Sequence, residues 1–320
     1  MFIRVCIQIS RGVILTFFYE TETRFFTLTI IRVNVRFGFL LNYLHITGAS
    51  LFFLSLYLHI MKGLFLSSIA QSKIWLRGIS LFLLRIAVAF LGYTLPQSNI
   101  RYWARIVITS FVRAIPLVGK TLLEWVWRGV RVNSQTIKLF FSIHYLCSFL
   151  LLVLILTHFT LLHQKGASSK LSIVNYNTPL SFRLFIVKDI LNLLVIISIL
   201  IICTLIPILF TESDIYEETD LLSSPKHITP EFYFLFLYTI LRRISDKLWG
   251  LILLILGLVL IGILFLRFKL SWTKKVLRVL YVINILQLSY LGTKSATGFW
   301  VLWIKLHTLL YFLLNLLLLI

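Results

Sequence analysis

Acidic side chains are scarce in this chain of 320 residues. Only 11 Asp and Glu stand against 31 Lys and Arg, and charged residues make up 13% of the total. A soluble domain carries about 25%. No polar stretch is long enough for a water-soluble domain; the most polar runs from Thr211 to Thr229. Cysteine is sparse too: Cys6, Cys147 and Cys203 lie far apart in apolar segments, at no metal-ligand spacing, and read as small buried residues. There is no GxGxxG and hence no sign of a flavin or nicotinamide domain. No soluble basic face exists to present to nucleic acid, so that partner is excluded. A signal peptide and an Arg- and Ser-rich transit segment are also missing from the first residues, so the chain is expected to insert as made.

What remains is apolar. Hydrophobic residues make up 59% and aromatics 15% of the chain, and the mean hydropathy is +0.97. No single globular core hides that much apolar surface, so lipid is the expected solvent. A net charge of +20 on such a chain points to anionic lipid headgroups or acidic subunits as neighbours.

A hydrocarbon layer of roughly 30 Å needs about 20 apolar residues in helical form. Runs of this kind are Phe37 to Met61, Ile74 to Leu95, Phe140 to Leu162, Leu184 to Phe210, Leu248 to Phe268, Val276 to Leu291 and Phe299 to Ile320. Val5 to Tyr19 reads as a truncated first helix. Asn99 to Val130 and His227 to Arg243 mix Arg with apolar residues and carry Pro116 and Pro230; both are expected as short amphipathic helices at the membrane surface. The expected fold is therefore all-α: a polytopic transmembrane bundle of about eight helices plus surface helices. Placing alternate loops on opposite sides leaves ten acids on one side and Asp189 alone on the other.

Histidine is the informative residue. Among seven, His45/His59 and His144/His158 are both fourteen apart. Fourteen helical residues turn through about 1400°, ~40° short of four revolutions, and climb ~21 Å. Each pair thus occupies one helix face at two depths. The span count makes these two helices parallel, so His45 meets His144 and His59 meets His158. Two axial imidazoles suit a haem that carries electrons and leave no open position for oxygen. The bland reading, interhelical polar contacts or proton groups, accounts poorly for two equal spacings. Gly78 and Gly92 are also fourteen apart, on the intervening helix, where bare backbone lets a flat macrocycle approach; close helix packing is the competing explanation. Arg85, midway between them, is a costly charge with no evident partner.

The blocks NYLHITGASLFFLSLYLHIMKGLF (42–65), AFLGYTLP (89–96), VITSFVRAIPLVG (107–119), EWVW (124–127), FFSIHYL (140–146), LLHQKG (161–166), KD (188–189) and PEFYFLFLYTILRRISDKL (230–248) closely resemble mitochondrial cytochrome b, the core of quinol–cytochrome c reductase, respiratory complex III. The resemblance runs from about Gln8 to Asn315. It implies a haem-binding four- or five-helix bundle over residues 1–210, and a quinol-site loop with C-terminal helices over 211–320. It further implies two non-covalent b-type haems, the low-potential one held by His45 and His144 and the high-potential one by His59 and His158. Gly12, Gly48, Gly78, Gly92 and Lys62 would border them. Quinol oxidation would fall near Glu231 and Tyr238, and quinone reduction near His163, Lys188 and Asp189, with ubiquinol and ubiquinone as substrates. The implied partners are the Rieske iron–sulfur protein, cytochrome c1, other complex III subunits, a second copy of the complex and lipids including cardiolipin. The implied place is the mitochondrial inner membrane.

The sequence departs from the family in several places. Asn42 and Leu139 stand where the family has arginines for the low-potential haem's propionates, and Lys62 replaces an Arg. Three alternatives are weaker. A ferric-reductase-type haem oxidoreductase needs the soluble domain missing here. The related chloroplast cytochrome has a longer histidine interval and a separate quinol-site chain. A haem-free transporter would use the histidines for protons.

Overall fold

The computed structural model describes residues 2–65, 71–165, 182–205, 219–225, 228–264 and 272–320. Among them are twelve α-helices: α1 (Phe2–Thr16), α2 (Arg24–Val33), α3 (Gly38–Phe65), α4 (Ser72–Tyr93), α5 (Asn99–Ser110), α6 (Gly119–Trp127), α7 (Ser134–Lys165), α8 (Phe182–Leu205), α9 (Leu235–Leu241), α10 (Lys247–Ile263), α11 (Trp272–Gly292) and α12 (Phe299–Leu319). Every expected span has a helix at its position. Four of these, α3, α4, α7 and α12, are individually long and apolar enough to cross a bilayer.

The outer face of α7 shows why lipid must surround the bundle. Leu146, Leu150, Val153 and Leu156 are all exposed on it, at the three- and four-residue intervals that place side chains on one side of a helix. In water such a stripe would be an association site; against acyl chains it is the ordinary surface.

Between helices in lipid, association comes from close packing and buried polar contacts rather than from the hydrophobic effect. Both are present in the C-terminal half. The Trp75 indole donates to the Gly262 carbonyl at 3.2 Å, tying α4 to α10. Tyr311 on α12 donates to the Gly257 carbonyl of α10 at 3.0 Å. Thr239 of α9 donates to Leu288 of α11 at 2.8 Å, and Arg242 bonds to the Leu291 carbonyl. Interhelical bonds of this kind contribute on average about 0.6 kcal/mol each, so it is the set that fixes the arrangement. A Cβ on Gly292 would lie 2.8 Å from the Leu235 carbonyl oxygen; bare backbone is what lets α9 and α11 touch.

Two expectations need correction. The segment around α9, expected at the membrane surface, is buried: Leu235, Phe236, Leu237, Thr239, Ile240 and Leu241 are all enclosed, packed between α10, α11 and α12. Its aromatic and aliphatic residues point in several directions because it has protein on several sides. Helix α2, for which the sequence predicts no element, packs on α3 and buries Leu28 and Ile31. By contrast, Asn99 to Val130 folds as expected into short helices, α5 and α6, joined through a 3₁₀ turn at Phe111–Ala114.

Candidate functional site

Helix α3 carries His45 and His59, and α7 carries His144 and His158. Among the described residues these two helices make little or no direct contact. Helix α3 rests on α1, and α7 rests on α4 and α1, so the histidine-bearing helices face one another across the bundle.

At the first level the space between them is a cavity enclosing about 1260 Å³ of empty volume, part of it open to the outside, and both His45 and His144 line it. The two rings are held differently. His144 Nδ1 lies 2.8 Å from the Val88 carbonyl oxygen, which can only accept. The proton is therefore on Nδ1, and Nε2 is left with a free lone pair, the arrangement a metal-ligating histidine needs. His45 is steadied by Gln8, whose Nε2 donates to the His45 carbonyl oxygen at 2.6 Å and lies 3.2 Å from the ring Nδ1.

Glycines back both rings. A Cβ on Gly92 would stand 2.5 Å from His144 Cε1, and one on Gly12 would stand 3.0 Å from His45 Cε1. At the second level Gly78 faces His158, but a Cβ there would lie at an ordinary 3.5 Å. Gly48 faces Gln8 and Arg11 rather than a histidine, and it lines a separate cavity with Arg4 and Leu58. His158 Nδ1 is buried without a hydrogen-bond partner, and His59 is exposed. An imidazole nitrogen with no partner in a membrane protein is costly unless something else satisfies the ring. At the first level, two imidazoles lining one cavity with a glycine behind each ring fit a bis-histidine group; at the second, the orphaned His158 nitrogen is the feature that a bound group would satisfy.

The first cavity reaches further than the histidines. Glu231 and Tyr233 line it, from the opposite half of the chain, together with Tyr93 and Arg101. The turn that carries them is anchored on α3: Tyr233 stacks on Phe53 at 4.3 Å and 4°, and Tyr57 donates to the Tyr233 carbonyl oxygen at 2.5 Å. Burial pushes the Glu231 carboxyl above the usual carboxylate range, while the nearby Arg101 guanidinium pulls it back. Tyr238 does not line this cavity; its hydroxyl donates to the Ile228 carbonyl at 3.2 Å.

The remaining sequence candidates scatter. His163 is exposed near the end of α7, its ring 4.2 Å from Phe159. Lys62 is exposed in the last turn of α3. Lys188 and Asp189 belong to α8, but their side chains lie outside the described residues, as does His227. His307 is a satisfied core histidine, with Nδ1 2.8 Å from Asn284 Oδ1. Gln8 and Tyr233 are absent from the sequence-level site. Gln8 carried a usable signal, being a polar residue one helical turn before Gly12 on an apolar segment. Tyr233 lies inside the PEFY block, and only the fold, which stacks it on Phe53, sets it apart from Tyr238.

Comparison with known proteins supports the same reading. The family model described as "Cytochrome b/b6/petB" matches residues 1–166, and "Cytochrome b(C-terminal)/b6/petD" matches residues 218–312. Proteins named cytochrome b from Caenorhabditis elegans and Caenorhabditis briggsae are 37% and 38% identical over 255 residues, each alignment spanning 79% of this chain and 69% of the relative. A solved structure titled "Hyperthermophilic respiratory Complex III" superposes with a TM-score of 0.91 at 24% identity, covering 99% of this chain and 88% of that one; this last likeness speaks for the fold. With family models matching both halves and relatives 37% and 38% identical over 79% of its length, the chain belongs to the cytochrome b family.

Proposed function

We propose that the chain is the electron-transfer subunit of a quinol–cytochrome c reductase, complex III, seated in the mitochondrial inner membrane. One b-type haem would sit between His45 and His144 and a second between His59 and His158. When bound, these groups supply one-electron transport through the membrane. The observation that carries the reading is one cavity lined by both His45 and His144 and by the half-buried acid Glu231.

The chain's own residues have definite tasks in this scheme. His144 presents Nε2 because Val88 holds the proton on Nδ1. Gly12 and Gly92 keep the two rings at their places by leaving room for them. Glu231, lifted by burial, accepts a proton from a quinol hydroxyl and passes it toward water, as a general base must. Tyr233 and Tyr93 supply apolar walls that exclude solvent from the ring. On the other side, His163, Lys188 and Asp189 would form the quinone-reduction site, the histidine and the acid donating protons and the lysine balancing charge. Lys62 would stand near the haem of that side. The Rieske iron–sulfur protein and cytochrome c1 are the partners that this scheme requires, in a dimeric complex bathed in lipids including cardiolipin, whose anionic headgroups suit the basic chain.

An optical spectrum of the purified complex tests the reading. Dithionite reduction is expected to produce two overlapping b-type α bands, and a quinol analogue should then reduce cytochrome c. A flat spectrum would reduce the chain to a haem-free transporter. Two b bands without quinol oxidation would favour a ferric-reductase type of protein.

A further inference from the structure

Arg85 lies near the middle of α4, seven residues from both Gly78 and Gly92. It is only 6% exposed, and its Nε has no hydrogen-bond partner. No ion pair involving it occurs among the described residues. Its guanidinium sits over the Phe52 ring at 3.8 Å, with Phe53 at 6.0 Å. An arginine is charged wherever it is placed, so this is a permanent cation inside an apolar bundle, where such charges mark function by default. It also lines the cavity that His45 and His144 share. Both histidines are close enough to interact with its charge.

We propose that Arg85 is a positioning charge that raises the reduction potential of the group held at the His45/His144 level. This rests on the reading that those histidines hold a haem. A group that gains an electron becomes more negative by one unit. A nearby cation stabilises that state, and does so strongly where little water screens it. Cluster and haem potentials respond to burial and local charge in this way. The Phe52 face holds the guanidinium without neutralising it, because a ring quadrupole carries no net charge. A carboxylate in that place would have cancelled the effect; an aromatic ring preserves it. Along α4 Arg85 is equally far from Gly78 and Gly92, but the cavity it lines takes in His45 and His144 and neither His59 nor His158, so the potential of the second level responds less.

The test is a potentiometric titration of the intact complex carrying Arg85→Met or Arg85→Lys. Arg85→Met is expected to shift the His45/His144 component about tenfold toward the oxidised state, which for a one-electron couple is about 59 mV to lower potential. The other component should move less, and Arg85→Lys should stay near wild type. An unchanged or raised potential, an equal shift of both components, or a fall in Arg85→Lys as large as in Arg85→Met would overturn the proposal. If Arg85→Met does not accumulate, Arg85→Gln is titrated instead. Loss of the bound group in both neutral variants, with Arg85→Lys normal, would make the residue structural and also overturn it. Absence of b-type bands in the wild-type complex would instead defeat the haem reading itself.

Discussion

The two histidine levels are equal in sequence and unequal in structure. At the first, both rings have built supports: Val88 fixes one tautomer, Gln8 holds the opposite ring, and Gly12 and Gly92 sit against them. At the second, His158 has an unsatisfied Nδ1, His59 is exposed, and Gly78 leaves ordinary clearance. Identical spacing sets where the rings stand along a helix; neighbours decide how firmly each is held. The firmer level is also the one whose cavity Glu231 lines, the group to which the proposed function gives the proton work. A site that must coordinate electron and proton steps gains most from fixed geometry.

The sharpest way to break this comparison is to delete one ring from each level. His144→Ala should abolish turnover and remove one b-type component, leaving the other. His59→Ala should remove the complementary component, and difference spectra of the two variants read the outcome. Next in size is Glu231→Gln, expected to slow quinol oxidation by about 10²-fold or more. As a base Glu231 works only when deprotonated, and its raised pKa keeps it protonated to higher pH than an ordinary carboxyl. Wild-type turnover should therefore climb as pH rises through that pKa, and the Gln variant should lose this limb.

Smaller effects come from the glycines. The methyl of Gly92→Ala would meet His144 at 2.5 Å, so the ring has to shift; overpacking of this kind costs about 1–3 kcal/mol. A lower thermal midpoint and a displaced α band are the expected readings. Gly78→Ala meets only a van der Waals contact at 3.5 Å and should leave spectrum and stability near wild type. Equal responses at Gly78 and Gly92 would erase the distinction between levels.

Much of this was legible in the amino acids because the membrane imposes one rule, that every spanning backbone be helical. The seven apolar runs and the two histidine intervals followed directly. What escaped depended on tertiary neighbours. Residues 24–33 mix Arg with Phe and Ile, and only the contact with α3, which buries Ile31, shows why they form a helix. Pro225 and Pro230 before α9 and Arg242 and Arg243 after it suit a surface, yet protein surrounds the helix itself. Gly48 shares a helix with His45 but faces Gln8, a matter of which helix lies alongside. Arg85 was visible as a cost and became interpretable only with the Phe52 ring beneath it.

In the proposed function, paired imidazoles grip a macrocycle at each of two depths. Haem content per polypeptide, measured as the pyridine haemochrome on purified wild-type complex and on His144→Ala, tests it most directly. The account predicts two b-type haems per chain in the wild type and one in the variant. A wild-type value of one or none, or an unchanged value in the variant, would contradict it.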